Sequence, residues 1–278
     1  MDTQRRTAGR AVKADSKQPS PTKGSSSQPL AQPRHVIVVA ELGSNIYPFD
    51  VQQLEIKIAA AAAAGVDAVK IQLFKAEHFP AAEQESKKKF VFPRELIPVF
   101  ASLAVRHGLA YGASVFDAQA VDMAVAARCD FLKLATREME NSDLRAYCHQ
   151  EFISPIYRSV LWPSGWLGFG HESPWQYGML EGEIALGCVP EYPAVRPSWW
   201  DLTELSNGLP EPFGWSSHTQ GMEDVLVAVQ AGAVVIEKHM ATDPADIEAE
   251  WSLLPLEFAR MVDAIRKMEA VPDDGNTT

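Results

Sequence analysis

From Val36 onward, short apolar and β-branched runs alternate with longer helix-like stretches. The apolar runs are Val36–Gly43, Asp67–Phe74, Leu109–Phe116, Cys129–Thr136, Pro155–Leu161, Ile184–Val189, Phe213–His218 and Ala233–Met240. Helices are expected between them over Val51–Ala64, Arg94–His107, Ala118–Ala127, Ser142–His149 and Met222–Gln230, with weaker ones near Trp175–Glu181 and Trp199–Leu205. A closing helix spans Leu256–Met268. Near-continuous apolar strands imply burial on both faces, as in a parallel sheet. Strict alternation with helices implies helical crossovers. Eight such units in 278 residues, with no glycine-rich dinucleotide turn, favour closure into a (β/α)8 TIM barrel over an open doubly wound sheet. Trp162–Gly178, crowded with Trp, Gly and Pro, reads as a loop or lid.

Residues 1–33 depart from this pattern. They are rich in Ser, Gln, Pro, Lys and Arg and hold almost no large apolar side chain, so they are expected to form a disordered tail. The tail is Arg- and Ser-rich but lacks the amphipathic period of a transit peptide. Through Arg34 it carries seven basic against two acidic side chains, although the whole chain has a net charge of −11. The barrel is expected over 34–272, with a flexible, polar C-terminus at 273–278 and no second domain.

The acidic balance argues against nucleic acid as a partner of the folded part. No apolar run approaches the ~18 residues of a membrane span. Cys129, Cys148 and Cys188 are widely spaced and form no CxxC pair, which argues against a disulfide framework and a thiolate zinc site. A cytoplasmic setting is expected.

Polar residues gather where the strands end, the catalytic face of such a barrel. They are Glu41 and Asn45, Lys70 and Gln72, Ser114 and Asp117, Lys133 with Thr136 and Glu138, Ser216–His218, and Glu237–His239. Side chains two apart on a strand share a face, so Lys70 pairs with Gln72 and Glu237 with His239. Charged groups facing inward are costly without a partner or ligand. Two lysines converging with hydroxyls would cradle a phosphate or carboxylate. His218 and His239 end neighbouring strands, and with Glu41 nearby they could hold a divalent metal with open positions. A lone histidine would read as an ordinary hydrogen-bonded barrel residue, but a pair favours the metal. Other features have plainer readings. Lys133 could be a salt-bridged core lysine, Glu138 a helix cap, Lys87–Lys89 a solvated loop and Cys188 simple packing. Trp162, Trp166, Trp175, Trp199 and Trp200 could wall a sugar site or serve as packing.

In order along the chain, AELGSN (40–45), VKIQLF (69–74), ASVFD (113–117), FLKLAT (131–136), GCVPEYP (187–193), GWSSHT (214–219), VIEKH (235–239) and PADIEAEWSLLP (244–255) resemble the barrel domain of the sialic acid synthases. The resemblance covers residues 36 to about 270. It implies condensation of phosphoenolpyruvate with an amino-sugar aldehyde, releasing phosphate. It makes His218 and His239 the ligands of Mn2+ or Mg2+. Lys70, Ser114, Lys133, Thr136 and Ser216 become the phosphoenolpyruvate cradle. Glu41, Gln72, Glu138 and Glu237 become catalytic residues, and Tyr192 and Asp246 sugar contacts. Its partners would be those two substrates, and a homodimer is compatible with it.

The chain also departs from that family. Asn45 is followed by Ile46-Tyr47-Pro48 rather than His-Asn-Gly, Pro190 replaces a polar residue, and Ser217 stands where an aspartate is usual. No Ser-Thr-Gly-Met stretch is recognisable at Ser159–Gly165, and the family's antifreeze-like C-terminal domain is expected to be lacking. Two alternatives therefore stand beside the synthase: a Schiff-base aldolase using Lys133, and a degenerate barrel retained as a binding protein.

Overall fold

A computed structural model describes residues 35–153, 155–161, 178–195 and 209–270. The expected N-terminal tail, the 162–177 loop, the helix near Trp199–Leu205 and the C-terminus beyond 270 lie outside the described residues.

Eight parallel strands close into a barrel in sequence order. They are β1 (Ile37–Glu41), β2 (Ala68–Leu73), β3 (Ala110–Val115), β4 (Phe131–Leu134), β5 (Ile156–Leu161), β6 (Glu183–Cys188), β7 (Phe213–Ser217) and β8 (Val235–His239). Each falls within its expected apolar run or one residue from it. The last strand pairs with the first, setting Glu41 beside His239. The described helices are α1 (Val51–Ala63), α2 (Ala81–Lys87), α3 (Ile97–Arg106), α4 (Ala118–Ala126), α5 (Ser142–Glu151), α6 (Glu223–Gln230) and α7 (Pro255–Glu269).

Local chemistry explains several helix starts. Asp50, Asp117 and Asn141 each accept a hydrogen bond from the backbone N–H three residues on, at the starts of α1, α4 and α5. The expected helix from Arg94 begins as a single 3-10 turn, Arg94–Leu96, before α3 continues with Pro98 in its first turn. Lys87–Lys89 is not a loop. Lys87 ends α2, and Lys88–Phe90 makes a further 3-10 turn. Residues 178–181, the described part of the weak helix near Trp175–Glu181, are not helical. Among the described residues, no helix is long and apolar enough to cross a membrane.

The barrel lumen is layered. Val39, Ala68, Phe131, Tyr157, Leu186 and Val235 form a closed apolar plug toward the N-terminal ends of the strands. Glycines make room for its larger members, since a Cβ at Gly112 would strike the Phe131 ring and one at Gly214 would strike Leu186. Two positions further along the strands, Glu41, Lys70, Lys133, Ser159 and Glu237 form a polar floor to the site, with Cys188 beside them. Outside the lumen, strands and helices share the main apolar core, including Ile58, Phe100, Trp215 and Phe258.

One ionic cluster fastens the outer side of β5 and β6. Glu183 accepts from Arg145 Nε at 2.6 Å, from the Leu180 N–H at 3.0 Å, and lies 3.0 Å from His149 Nε2. Burial works to raise its pKa, but the hydrogen bonds from Arg145, Leu180 and His149 outweigh that and hold it low. Glu183→Gln is expected to cost about 3 kcal/mol, because it removes the charge from a fully buried carboxylate that Arg145, His149 and the Leu180 N–H share. The difference from wild type should be full above the unfolded carboxylate pKa of about 4.3. It should close as the pH falls through the lowered folded value. Urea unfolding of both proteins across that range checks this.

Candidate active site

The polar floor is a network of buried ions. On β1, Glu41 uses one carboxylate oxygen to accept the Gly43 N–H at 2.6 Å, and the other accepts from the Lys70 ammonium of β2. Lys70 also donates to Ser114 Oγ of β3. On β4, Lys133 donates to Glu237 Oε1 of β8 at 2.6 Å, and the Ser216 hydroxyl of β7 donates to the same oxygen at 3.0 Å. Lys70 Nζ lies 3.5 Å from Glu237 Oε2, so the two pairs are linked across the lumen. Period-two alternation therefore brings Glu41, Lys70, Ser114, Lys133, Ser216 and Glu237 together, as the sequence predicts.

Burial opposes the charge on Lys70, but the carboxylates of Glu237 and Glu41 outweigh it and its pKa rises. Glu237 shows the converse. Burial would raise its pKa, yet Lys133 and Lys70 hold it far below the usual carboxylate range. These groups are ion-paired at neutral pH. Two buried atoms of this floor lack a hydrogen-bond partner among the described residues, Glu237 Oε2 and Ser159 Oγ. Unsatisfied polar atoms in the wall of a lumen are where water or a ligand belongs.

The histidine pair sits at the rim above. The rings of His218 and His239 lie 5.4 Å apart, centroid to centroid. Each uses Nδ1 within the protein: His218 bonds the Val189 carbonyl at 2.9 Å, and His239 bonds Glu248 Oε2 at 3.0 Å. That leaves Nε2 of both rings for another partner. Burial, and then the neighbouring His239, push the His218 pKa well below its ordinary value, so that ring is neutral. Two imidazoles, each oriented through Nδ1 by a carbonyl or carboxylate, form a donor set suited to a divalent metal. Among the described residues, no group of three or more His, Cys, Asp or Glu side chains gathers as a complete metal site. The protein side of the fit is thus two nitrogens.

Several neighbours hold the rim in place. Lys238 has the opposite strand phase to Glu237 and His239. It donates to Ser217 Oγ at 2.9 Å and to the Thr219 carbonyl, gripping both residues that flank His218. Burial lowers its pKa to about 8. Tyr192 lies over His218 with ring centroids 4.1 Å apart while staying more than half exposed, and so forms the outer wall. Asn45 joins the β1 loop to the β8 loop. Its amide donates to the Met240 carbonyl and to Ser252 Oγ, and its oxygen accepts the Glu248 N–H at 2.8 Å.

Other expected residues have different surroundings. Gln72 shares the inward phase of Lys70 and pairs in register with Ser114. Thr136 and Glu138 begin and end the 3-10 turn after β4, where Glu138 accepts from the Asn141 amide. Asp246 is held by Lys57 of α1 at 2.5 Å and by the Thr242 N–H at 2.8 Å. The carboxylate that this loop brings to the histidines is Glu248. Glu248, Ser159 and Trp251 were not singled out in the sequence. Trp251 meets Tyr192 edge-on at 5.5 Å and His239 at 6.4 Å. Cys188 is buried packing, with its thiol pKa raised by burial, although its Sγ lies 3.7 Å from His218 Nδ1. The tryptophans at 162, 166, 175, 199 and 200 lie outside the described residues.

This arrangement can be compared with known proteins. The sequence profile of the NeuB family matches residues 57–160 and 176–277. The chain belongs to the NeuB family. Among its relatives, N,N'-diacetyllegionaminic acid synthase of Legionella pneumophila is 25% identical over 265 residues, covering 86% of this chain and 73% of that protein. The spore coat polysaccharide biosynthesis protein SpsE of Bacillus subtilis is 29% identical over 268 residues, covering 87% and 70%. The N-acetylneuraminic acid synthetase structure from Leptospira borgpetersenii superposes with a TM-score of 0.73 at 22% identity over 88% of each chain, a likeness of fold. This NeuB-family barrel shares with that structure the architecture expected from its alternating runs.

Because its ions neutralise one another in pairs, the floor should be sensitive to single substitutions. Lys70→Met is expected to cost about 3–5 kcal/mol, the usual cost of stranding a buried charge. Adding Glu41→Gln should recover part of that loss. Urea unfolding of the single and double variants is the measurement, and equal losses in both would count against the pairing.

Proposed function

We propose that this chain condenses phosphoenolpyruvate with the open-chain aldehyde of an N-acylmannosamine-like amino sugar, giving a sialic-acid-like nonulosonic acid and inorganic phosphate, with Mn2+ or Mg2+ at the histidine pair. The observation that carries this reading is the floor of buried lysines beneath two imidazoles that each keep Nε2 open, in a member of the NeuB family. Relatives that are synthases of diacetyllegionaminic and pseudaminic acids support the product class.

In this reading Lys70 and Lys133 bind the phosphate and carboxylate of phosphoenolpyruvate, helped by Ser114, Thr136 and Ser216. The incoming anion exchanges with Glu41 and Glu237 as counter-ion, which frees those carboxylates to face the acceptor. Carbon 3 of the enol attacks the aldehyde carbon. Water adds at carbon 2; one of its protons passes by way of a carboxylate oxygen such as Glu237 Oε2 to the alkoxide formed at the former aldehyde carbon, and the other leaves with the phosphate as the carbon–oxygen bond breaks to give the carbon-2 ketone. Tyr192 covers the site and holds the sugar against the rim. A divalent cation on Nε2 of His218 and His239 would supply Lewis acidity toward the aldehyde oxygen. Lys133 is paired with Glu237 at 2.6 Å, whereas a Schiff-base mechanism needs a free amine, so the aldolase alternative gains no support.

Phosphate release from phosphoenolpyruvate across a panel of amino sugars and simple aldoses, with and without manganese, tests the reaction. No release with any acceptor would remove the reading. His218→Ala and His239→Ala are expected to abolish manganese binding in calorimetry as well as turnover, while circular dichroism stays unchanged. Lys133→Met should weaken phosphoenolpyruvate binding by about 1.5–3 kcal/mol, the worth of a hydrogen bond to a charged group.

A further inference from the structure

Above strands β2 to β4, the mouth of the barrel carries a cation that the mechanism leaves unused. Arg137 directly follows Thr136 in the 3-10 turn after β4. Its guanidinium carbon lies 4.4 Å from the ring centre of Phe79 and 5.6 Å from that of Phe116. Phe79 belongs to the segment after β2. Phe116 follows β3 two positions beyond Ser114 and so shares its inward phase. Arg137 therefore bridges the ends of the same three strands that contribute Lys70, Ser114 and Lys133 to the floor.

The setting leaves this guanidinium available. Arg137 is exposed, and among the described residues it makes no hydrogen bond or ion pair, only the two ring contacts. Aromatic faces fix the plane of a guanidinium while leaving its N–H edges free to donate. Other nitrogen-bearing side chains surround it. Lys87 Nζ lies 4.9 Å from the centre of Phe79. Lys75 and His78 share the single carboxylate of Asp117, at 2.6 and 3.4 Å. The adjacent Glu138 is turned toward Asn141. A planar fork of free donors at the mouth has the form that takes a phosphate in two parallel hydrogen bonds.

We propose that Arg137 forms a second phosphate subsite at the mouth, outside the lysine floor, which holds the phosphate group of phosphoenolpyruvate on its way in or inorganic phosphate on its way out. The subsite rests on the phosphoenolpyruvate reading for its role, but its chemistry can be measured without turnover.

The experiment compares the full chain with Arg137→Ala and Arg137→Lys. Calorimetry with inorganic phosphate should show about tenfold weaker binding for Arg137→Ala, the low end of what a hydrogen-bonded charge is worth. Arg137→Lys should recover part of it, since it keeps the charge and loses the planar fork. Thermal melts of all three should coincide. In turnover, a raised KM for phosphoenolpyruvate with kcat within about twofold assigns the subsite to the incoming ester. Weaker product inhibition by phosphate at unchanged KM assigns it to release. Equal phosphate affinity in wild type and Arg137→Ala overturns the subsite, even if the wild type turns over phosphoenolpyruvate. Arg137-dependent phosphate binding in a protein that never consumes phosphoenolpyruvate supports the subsite and removes the synthase reading instead.

Discussion

The buried alternation of charge inside the barrel is the constraint on which the site depends. Glu41, Lys70, Glu237 and Lys133 come from four strands, and each is held by a neighbour of opposite sign. None could stay charged in this lumen alone, because desolvating a single ion costs several kcal/mol. Together they form a floor that is close to neutral and yet dense in charge. In the proposed reaction an anionic substrate would take over the two lysines, and Glu41 and Glu237 would then need a proton or a new partner. The plug of Phe131, Tyr157 and Leu186 beneath closes the lumen below that floor, so the ligand-accessible face is the C-terminal one.

The rim adds a second kind of order. Each histidine has one ring nitrogen committed to the protein, which sets the orientation of the other. Lys238 steadies the chain on both sides of His218 from behind the sheet. Ser217 occupies the place where the resemblance leads one to expect an aspartate, and here the lysine is satisfied by a hydroxyl and a carbonyl. Burial lowers the pKa of Lys238 to about 8, and the carboxylates of Asp224 and Glu223 only partly oppose that.

Much of the fold was legible because parallel strands buried on both faces leave short, β-branched apolar runs, whereas the comparable run in α1 is nearly all alanine. All eight strands follow from those runs. Helix α2 was not legible, since none of its residues is buried and it has no apolar stripe to reveal it. The floor could be read from strand phase alone. Ser159 obeys the same rule, counting two from the inward Tyr157, but the adjacent Arg158 draws attention to the wrong face. The β8 loop was harder. Asp246 and Glu248 are two residues apart, and sequence does not say which one turns inward. Lys57, nearly two hundred positions earlier, captures Asp246 and leaves Glu248 for His239. That choice is tertiary, made by a contact no local pattern encodes.

Asn45 has a mechanical consequence. Both amide hydrogens and the carbonyl oxygen of one side chain are spent on the segment that follows β8. The first and last loops of the cylinder are thereby riveted over the line where β1 meets β8. Strain on that seam loads the polar groups of Met240, Ser252 and Glu248 at once, so the two loops must shift as one body.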